Sequence, residues 1–127
     1  KCNDTAELVA DFLKAHPAIE NVWYPKFTTP DTYEAIRREG GGYGGLISFV
    51  LKNRKKTPRF YDALRISKGP SLGTEFSLAC PYTMLAHYDE MEWVEGCGLD
   101  KYLIRISIGV EDADDLLTRV AEALKLA

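Results

Sequence analysis

The chain has 127 residues, enough for one domain with a real core and too few for two. Hydrophobic residues make up 46% of it and charged residues 28%, the balance of a soluble globular chain. A formal net charge of −3 argues against nucleic acid as a partner, and no apolar run is long enough to span a membrane.

Cys2, Cys80 and Cys97 are an odd count without metal-type spacing, which reads as reduced thiols in a cytoplasmic protein. No signal peptide opens the chain. It begins at Lys1 without an initiator Met and soon enters helix-like sequence, which fits a piece of a longer protein.

In chain order, Asn3-Asp4-Thr5 followed by Glu7 resembles a helix-capping region, with Leu8, Val9, Phe12 and Leu13 as one apolar stripe and Pro17 as the exit. A short strand is expected over Asn21 to Tyr24, stopped by Pro25. Residues 31–38 read as a brief helix with Tyr33 and Ile36 inward. Gly40-Gly41-Gly42 and Gly44-Gly45 form a flexible approach to a strand at Leu46 to Leu51. Lys52 to Arg59 is a solvated basic connection, and Pro58 starts a helix carrying Phe60, Tyr61 and Leu64. Residues 66–87 are irregular, with a strand or turn at Phe76 to Ala79, and residues 89–95 form a short helix.

The end of the chain is the clearest part. A strand is expected over Tyr102 to Ile108. Gly109 breaks it, and Asp112 caps a helix with Asp115 three positions on. Ala113, Leu116, Leu117, Val120, Ala121 and Leu124 are the buried stripe of that helix. The fold class is therefore α+β: a two-layer small domain with a mainly antiparallel sheet of three to four strands and helices packed on one face.

Several candidate sites carry little. The Gly40–Gly45 loop lacks the P-loop ending and the dinucleotide spacing, and leads into a strand instead of a helix. His16 and His87 have no second ligand at metal spacing. Cys80 is a nucleophile only beside a base. The acids Glu111, Asp112, Asp114 and Asp115 lack the alternation of a calcium loop and are explained by helix capping. Tyr82, Tyr88 and Trp93 are an aromatic excess that faces either the core or a partner domain.

Arg105 is different. Strand alternation puts Tyr102, Ile104, Ile106 and Ile108 on one face and Leu103, Arg105 and Ser107 on the other. A guanidinium in mid-strand is costly unless something neutralises it, and its rigid fork suits a carboxylate. That carboxylate belongs either to an Asp or Glu of this domain or to a ligand.

The segment around Arg105 resembles the end of the Cys/Met-metabolism family of pyridoxal-phosphate (PLP) enzymes, which includes cystathionine γ-synthases and γ-lyases. The family pattern Arg-x-Ser-x-Gly-x-Glu-Asp-x-x-Asp-Leu is matched by Arg105, Ser107, Gly109, Glu111, Asp112, Asp115 and Leu116. Ser71-Leu72-Gly73, Ser77-Leu78, Cys80-Pro81 and His87 form a second match, and Asn3 to Pro17 with Tyr24-Pro25 and Gly44 to Phe49 extends the likeness over nearly the whole chain.

The resemblance implies a C-terminal small domain of a fold-type-I enzyme, spanning residues 1–127, with the large cofactor-binding domain absent. It implies that Arg105 holds the α-carboxylate of an amino-acid substrate with Ser71 and Leu72 beside it, and that the chain carries no catalytic residue of its own. PLP is implied in the full-length enzyme and none on this piece, because the Schiff-base lysine and phosphate loop belong to the large domain. The implied partners are that large domain and further copies of the complete chain as a homo-oligomer. The chain departs from the pattern at Thr74-Glu75-Phe76, where the acid comes one position early, and at Pro70, where several members carry Glu. These departures favour γ-replacement, on an activated homoserine ester with cysteine, over γ-elimination. The rival class is a non-enzymatic amino-acid-binding or interaction domain.

Overall fold

A computed structural model describes residues 1–127. Helix α1 (Cys2–Ala15) leads into β1 (Ile19–Trp23), followed by two short helices, α2 (Pro25–Thr28) and α3 (Pro30–Glu34). Strand β2 (Leu46–Leu51) is followed by a 3-10 turn at Arg54–Lys56 and by α4 (Thr57–Ala63). Then come β3 (Ser67–Lys68), β4 (Leu78–Pro81), α5 (Tyr82–Ala86), a 3-10 turn at Tyr88–Glu90, α6 (Met91–Gly96), β5 (Ile104–Ser107) and α7 (Ala113–Leu124).

The strands form one sheet in the order β1-β2-β5-β4-β3, antiparallel except where β3 runs parallel to β4. Cross-strand partners share a face. The rows Val22–Phe49–Ile104–Pro81 and Ile47–Ile106–Ala79 point one way, into a core completed by Ala6, Val9, Ala10 and Leu13 of α1, Phe60 of α4, and Leu116, Val120, Ala123 and Leu124 of α7. Phe49 and Phe60 meet edge to face at 5.8 Å. The opposite face carries the row Trp23–Ser48–Arg105–Cys80, with Leu46, Leu78 and Ser107 beside it, and no helix of the core layer covers it. The domain is thus a two-layer α+β unit, as its sequence predicts.

Five particulars differ from expectation. The sheet has five strands, because β3 is only two residues long and leaves no periodic trace. Helix α1 starts at Cys2 and runs through Asn3 to Thr5 without a side-chain cap, and Leu8 is 51% exposed while Ala6 and Ala10 take the inward positions. Helix α3 ends at Glu34, four residues before the expected end at residue 38, so Ile36 falls beyond it and is 80% exposed. The strand expected over Phe76 to Ala79 is shifted to Leu78–Pro81, and the next backbone N–H, that of Tyr82, donates to Leu103 O at 3.0 Å. Arg54 is not simply solvated: it pairs with Glu20 and, at 2.8 Å, with Asp100, tying the β2 exit to the approach to β5.

Candidate functional site

Strand β5 organises the open face of the sheet. Its residues of odd number, together with the two that follow the strand at the same spacing, fasten the loop 70–77 at successive points. Arg105 Nη2 donates to Pro70 O. Ser107 Oγ accepts from Gly73 N at 3.1 Å. Gly109 brings the backbone of residues 75 and 76 so close that a Cβ there would lie 2.5 Å from Glu75 O. Glu111 clasps Ser77, accepting from its N–H at 2.6 Å and its hydroxyl at 2.9 Å, while Ser77 Oγ accepts from Gly109 N at 2.9 Å. The Arg-x-Ser-x-Gly-x-Glu spacing of two is therefore the pleat of a strand and its extension gripping one loop.

Ser71 and Leu72 lie between the first two fastenings, and both side chains are exposed. Leu72 borders a groove of about 260 Å³ shared with Cys2, Gly45, Leu46, Gly73, Thr74, Ser107 and Ile108. Gly73 has φ +74°, a turn that favours glycine, and its Cβ position is open. Of the three residues singled out in the sequence, Ser71 and Leu72 directly follow Pro70, whose carbonyl accepts from Arg105, while Arg105 itself does not line the groove that Leu72 borders.

No carboxylate of the chain lies within ion-pair distance of Arg105; its nine ion pairs involve other residues. Of the two partners left open by the sequence, an internal Asp or Glu is absent. Instead the guanidinium carbon sits over the Tyr82 ring, 5.2 Å from its centroid, a cation–π contact. The His87 ring meets Tyr82 edge-on at 5.8 Å, and His87 Nδ1 is 2.6 Å from Glu90 Oε1. Tyr82 was legible in the sequence only as part of an aromatic excess, since its contact with Arg105 depends on the β4–β5 pairing. Tyr88 and Trp93, of the same excess, are exposed, at 73% and 66%.

Cys80 is the cross-strand neighbour of Arg105 and is buried. Burial pushes its thiol above the ordinary range, with the Arg105 charge opposing this, so the protonated form is held and no base stands beside it to make it a nucleophile. Several other donors of the chain already have partners. The first turn of α7 is already capped by Asp112, which accepts from Asp114 N at 3.0 Å and Asp115 N at 3.1 Å. Lys68 donates to Leu64 O over the Tyr61 ring, and Lys101 lies over Tyr102. What the arrangement offers is a guanidinium with one edge on a loop carbonyl, its carbon over the Tyr82 ring, and no carboxylate of the chain paired with it.

The family profile described as Cys/Met metabolism PLP-dependent enzyme matches residues 1–125. The chain belongs to that family. It is 48% identical, over its whole length, to cystathionine gamma-synthase of Neurospora crassa, and spans 21% of that protein. It is 33% identical to cystathionine gamma-lyase of Bacillus subtilis, with 97% of the chain matched against 33% of the relative. The fold superposes on cystathionine gamma synthase of Xanthomonas oryzae pv. oryzae, solved in complex with cystathionine, with a TM-score of 0.85 and 29% identity over 98% of this chain and 33% of that one. The chain therefore spans about a fifth to a third of the family members it matches. No helix is long and apolar enough to cross a membrane.

Proposed function

We propose that this chain is the C-terminal small domain of a cystathionine γ-synthase-like enzyme, and that it binds the α-carboxylate of the amino-acid substrate through Arg105, with Ser71 and Leu72 lining the same position. The observation that carries the reading is the state of Arg105. It is held by a sheet, by the Pro70 carbonyl and by the Tyr82 ring, and it lacks an anion from its own chain. A carboxylate placed there takes two parallel charge-assisted hydrogen bonds. Ser71 and Leu72 close one side, and the fastened loop keeps them from turning away.

In the complete enzyme a large domain outside this chain would hold PLP, which when bound supplies an electron sink for carbanion chemistry. This chain's part is to orient. Gripping the carboxylate fixes the α-carbon and sends the γ-substituent away from Arg105, so that orientation is achieved before the reaction begins. The overall reaction is γ-replacement: an activated homoserine ester loses its acyl group as a carboxylic acid and the sulfur of cysteine takes its place, giving cystathionine. The high identity to a γ-synthase across the whole chain favours this over γ-elimination. The complete chains would assemble as a homo-oligomer.

The test uses the full-length enzyme with PLP. Arg105→Met should lower kcat/KM for the homoserine ester roughly 30- to 1,000-fold, the loss of about 2–4 kcal/mol expected when one partner of a desolvated charge pair is removed. The same variant should lose preference for the acid over its carboxamide. An unchanged preference removes Arg105 from the substrate site. Keto-acid release in place of cystathionine, with cysteine present, would assign the chain to the γ-elimination branch.

A further inference from the structure

The clasp between Glu111 and Ser77 has no place in the chemistry proposed above, yet it is built with more care than a surface contact. Ser77 is 1% exposed, and its N–H and hydroxyl are both used: both donate to Glu111, and Oγ accepts from Gly109 N. The loop it ends is otherwise lightly held. Between Pro70 and Ser77 the only other ties to the strand segment are Gly73 N to Ser107 Oγ and Val110 N to Glu75 O, at 2.8 Å. Ser71, Leu72, Gly73, Glu75 and Phe76 are all exposed, so packing does little to position them.

The loop and the guanidinium are coupled. Pro70 O is the one oxygen of the chain that accepts from Arg105. With the Ser77 clasp gone, the stretch 70–77 keeps only the Gly73 N to Ser107 Oγ and Val110 N to Glu75 O hydrogen bonds, too few to fix Pro70 O against Arg105. Arg105 then loses the acceptor that orients one edge of its fork, and Ser71-Leu72 leaves the anion position. From this geometry we infer that Glu111 and Ser77 are positioning residues for substrate-carboxylate binding, acting through loop 70–77 on Arg105 without touching the ligand. The inference rests on the Arg105 reading and assigns its regulation to a clasp six residues further along the chain.

The test is a double-mutant cycle in the full-length PLP-loaded enzyme. Glu111→Ala should raise KM for the homoserine ester about 3- to 10-fold while changing kcat less than about 2-fold. Glu111→Gln keeps the shape and an acceptor for Ser77 N, while its amide can donate to Ser77 Oγ; it should recover most of the loss. The decisive arm is background. In Arg105→Met, adding Glu111→Ala should change KM little, because the clasp acts through the guanidinium. Where turnover of Arg105→Met is too slow to fit, the same cycle is read from the Kd of L-2-aminobutyrate, which keeps the amine and carboxylate but has no γ-leaving group. An equal rise of KM or Kd in both backgrounds, or a fall in melting temperature with KM unchanged, overturns the inference and leaves the clasp purely structural. If Arg105→Met alone leaves substrate affinity intact, it is the proposed function that fails. The two failures are read from different variants.

Discussion

Substituting Gly109 by alanine tests whether the strand extension really grips the loop. A Cβ at this position would lie 2.5 Å from Glu75 O, 2.5 Å from Phe76 C and 2.6 Å from Glu111 Oε2. The carboxylate oxygen ends a flexible side chain, but the first two atoms are backbone. Restoring ordinary contact requires the loop to retreat by about 1 Å, on the scale of normal carbon contacts. Overpacking of this kind costs about 1–3 kcal/mol. The retreat also strains the Val110 N to Glu75 O and Gly109 N to Ser77 Oγ hydrogen bonds, each worth roughly 0.5–1.5 kcal/mol net. The expected destabilisation is about 2–5 kcal/mol, read as a shift of the urea midpoint at constant slope. Two controls separate crowding from a general glycine effect. Gly96→Ala ends the exposed α6 with nothing within 4 Å and should be neutral or stabilising by up to about 1 kcal/mol. Gly73→Ala also has open space but φ +74°, and should lose about 1–2 kcal/mol to backbone strain alone. A Gly109→Ala variant within about 0.5 kcal/mol of the parent would refute the close approach.

Asp112→Ala removes the acceptor for Asp114 N and Asp115 N at the start of α7 and should cost about 0.5–2 kcal/mol in thermal unfolding; no loss would mean the cap is not formed in solution. Phe60→Ala, at a fully buried ring packed edge-on against Phe49, should cost about 3–5 kcal/mol, and a value below about 1 would place α4 away from the sheet. Iodoacetamide should alkylate exposed Cys97 well before Cys80 at the same pH. Because burial raises the Cys80 thiol above its unfolded value, the folded state holds the proton more tightly. That contribution to stability is complete below the ordinary thiol pKa of about 8.5 and is lost as pH rises through the raised value. Equal modification rates for the two thiols would show that β4 does not protect Cys80.

Much of the fold was legible before any coordinates. The period-two run Tyr102 to Ile108, of which Ile104–Ser107 forms the strand, the Leu116, Val120 and Leu124 stripe of α7 and the Asp112 cap are local patterns, in which each residue's role depends on neighbours a few positions away. The same holds for β2, whose range Leu46–Leu51 was read without error. What failed was short or edge-dependent: the two-residue β3, the fate of Ile36 beyond α3, and the inward positions of α1, where small alanines displaced Leu8. Alanines read as weakly apolar, yet Ala6 and Ala10 pack fully buried beside Val9 and Leu13.

The candidate site divides in the same way. Sequence by itself determined that a guanidinium stands on the non-core face of a strand, and that Ser, Gly and Glu follow it at steps of two. Only tertiary structure decided that Arg105 lacks an acid of its own, that the Tyr82 ring lies beneath it, and that every second residue from Arg105 to Glu111 fastens the loop carrying Ser71 and Leu72. The reason is physical. Alternation along a strand is written in local sequence, whereas the partner each side chain meets is set by contacts between residues more than twenty positions apart.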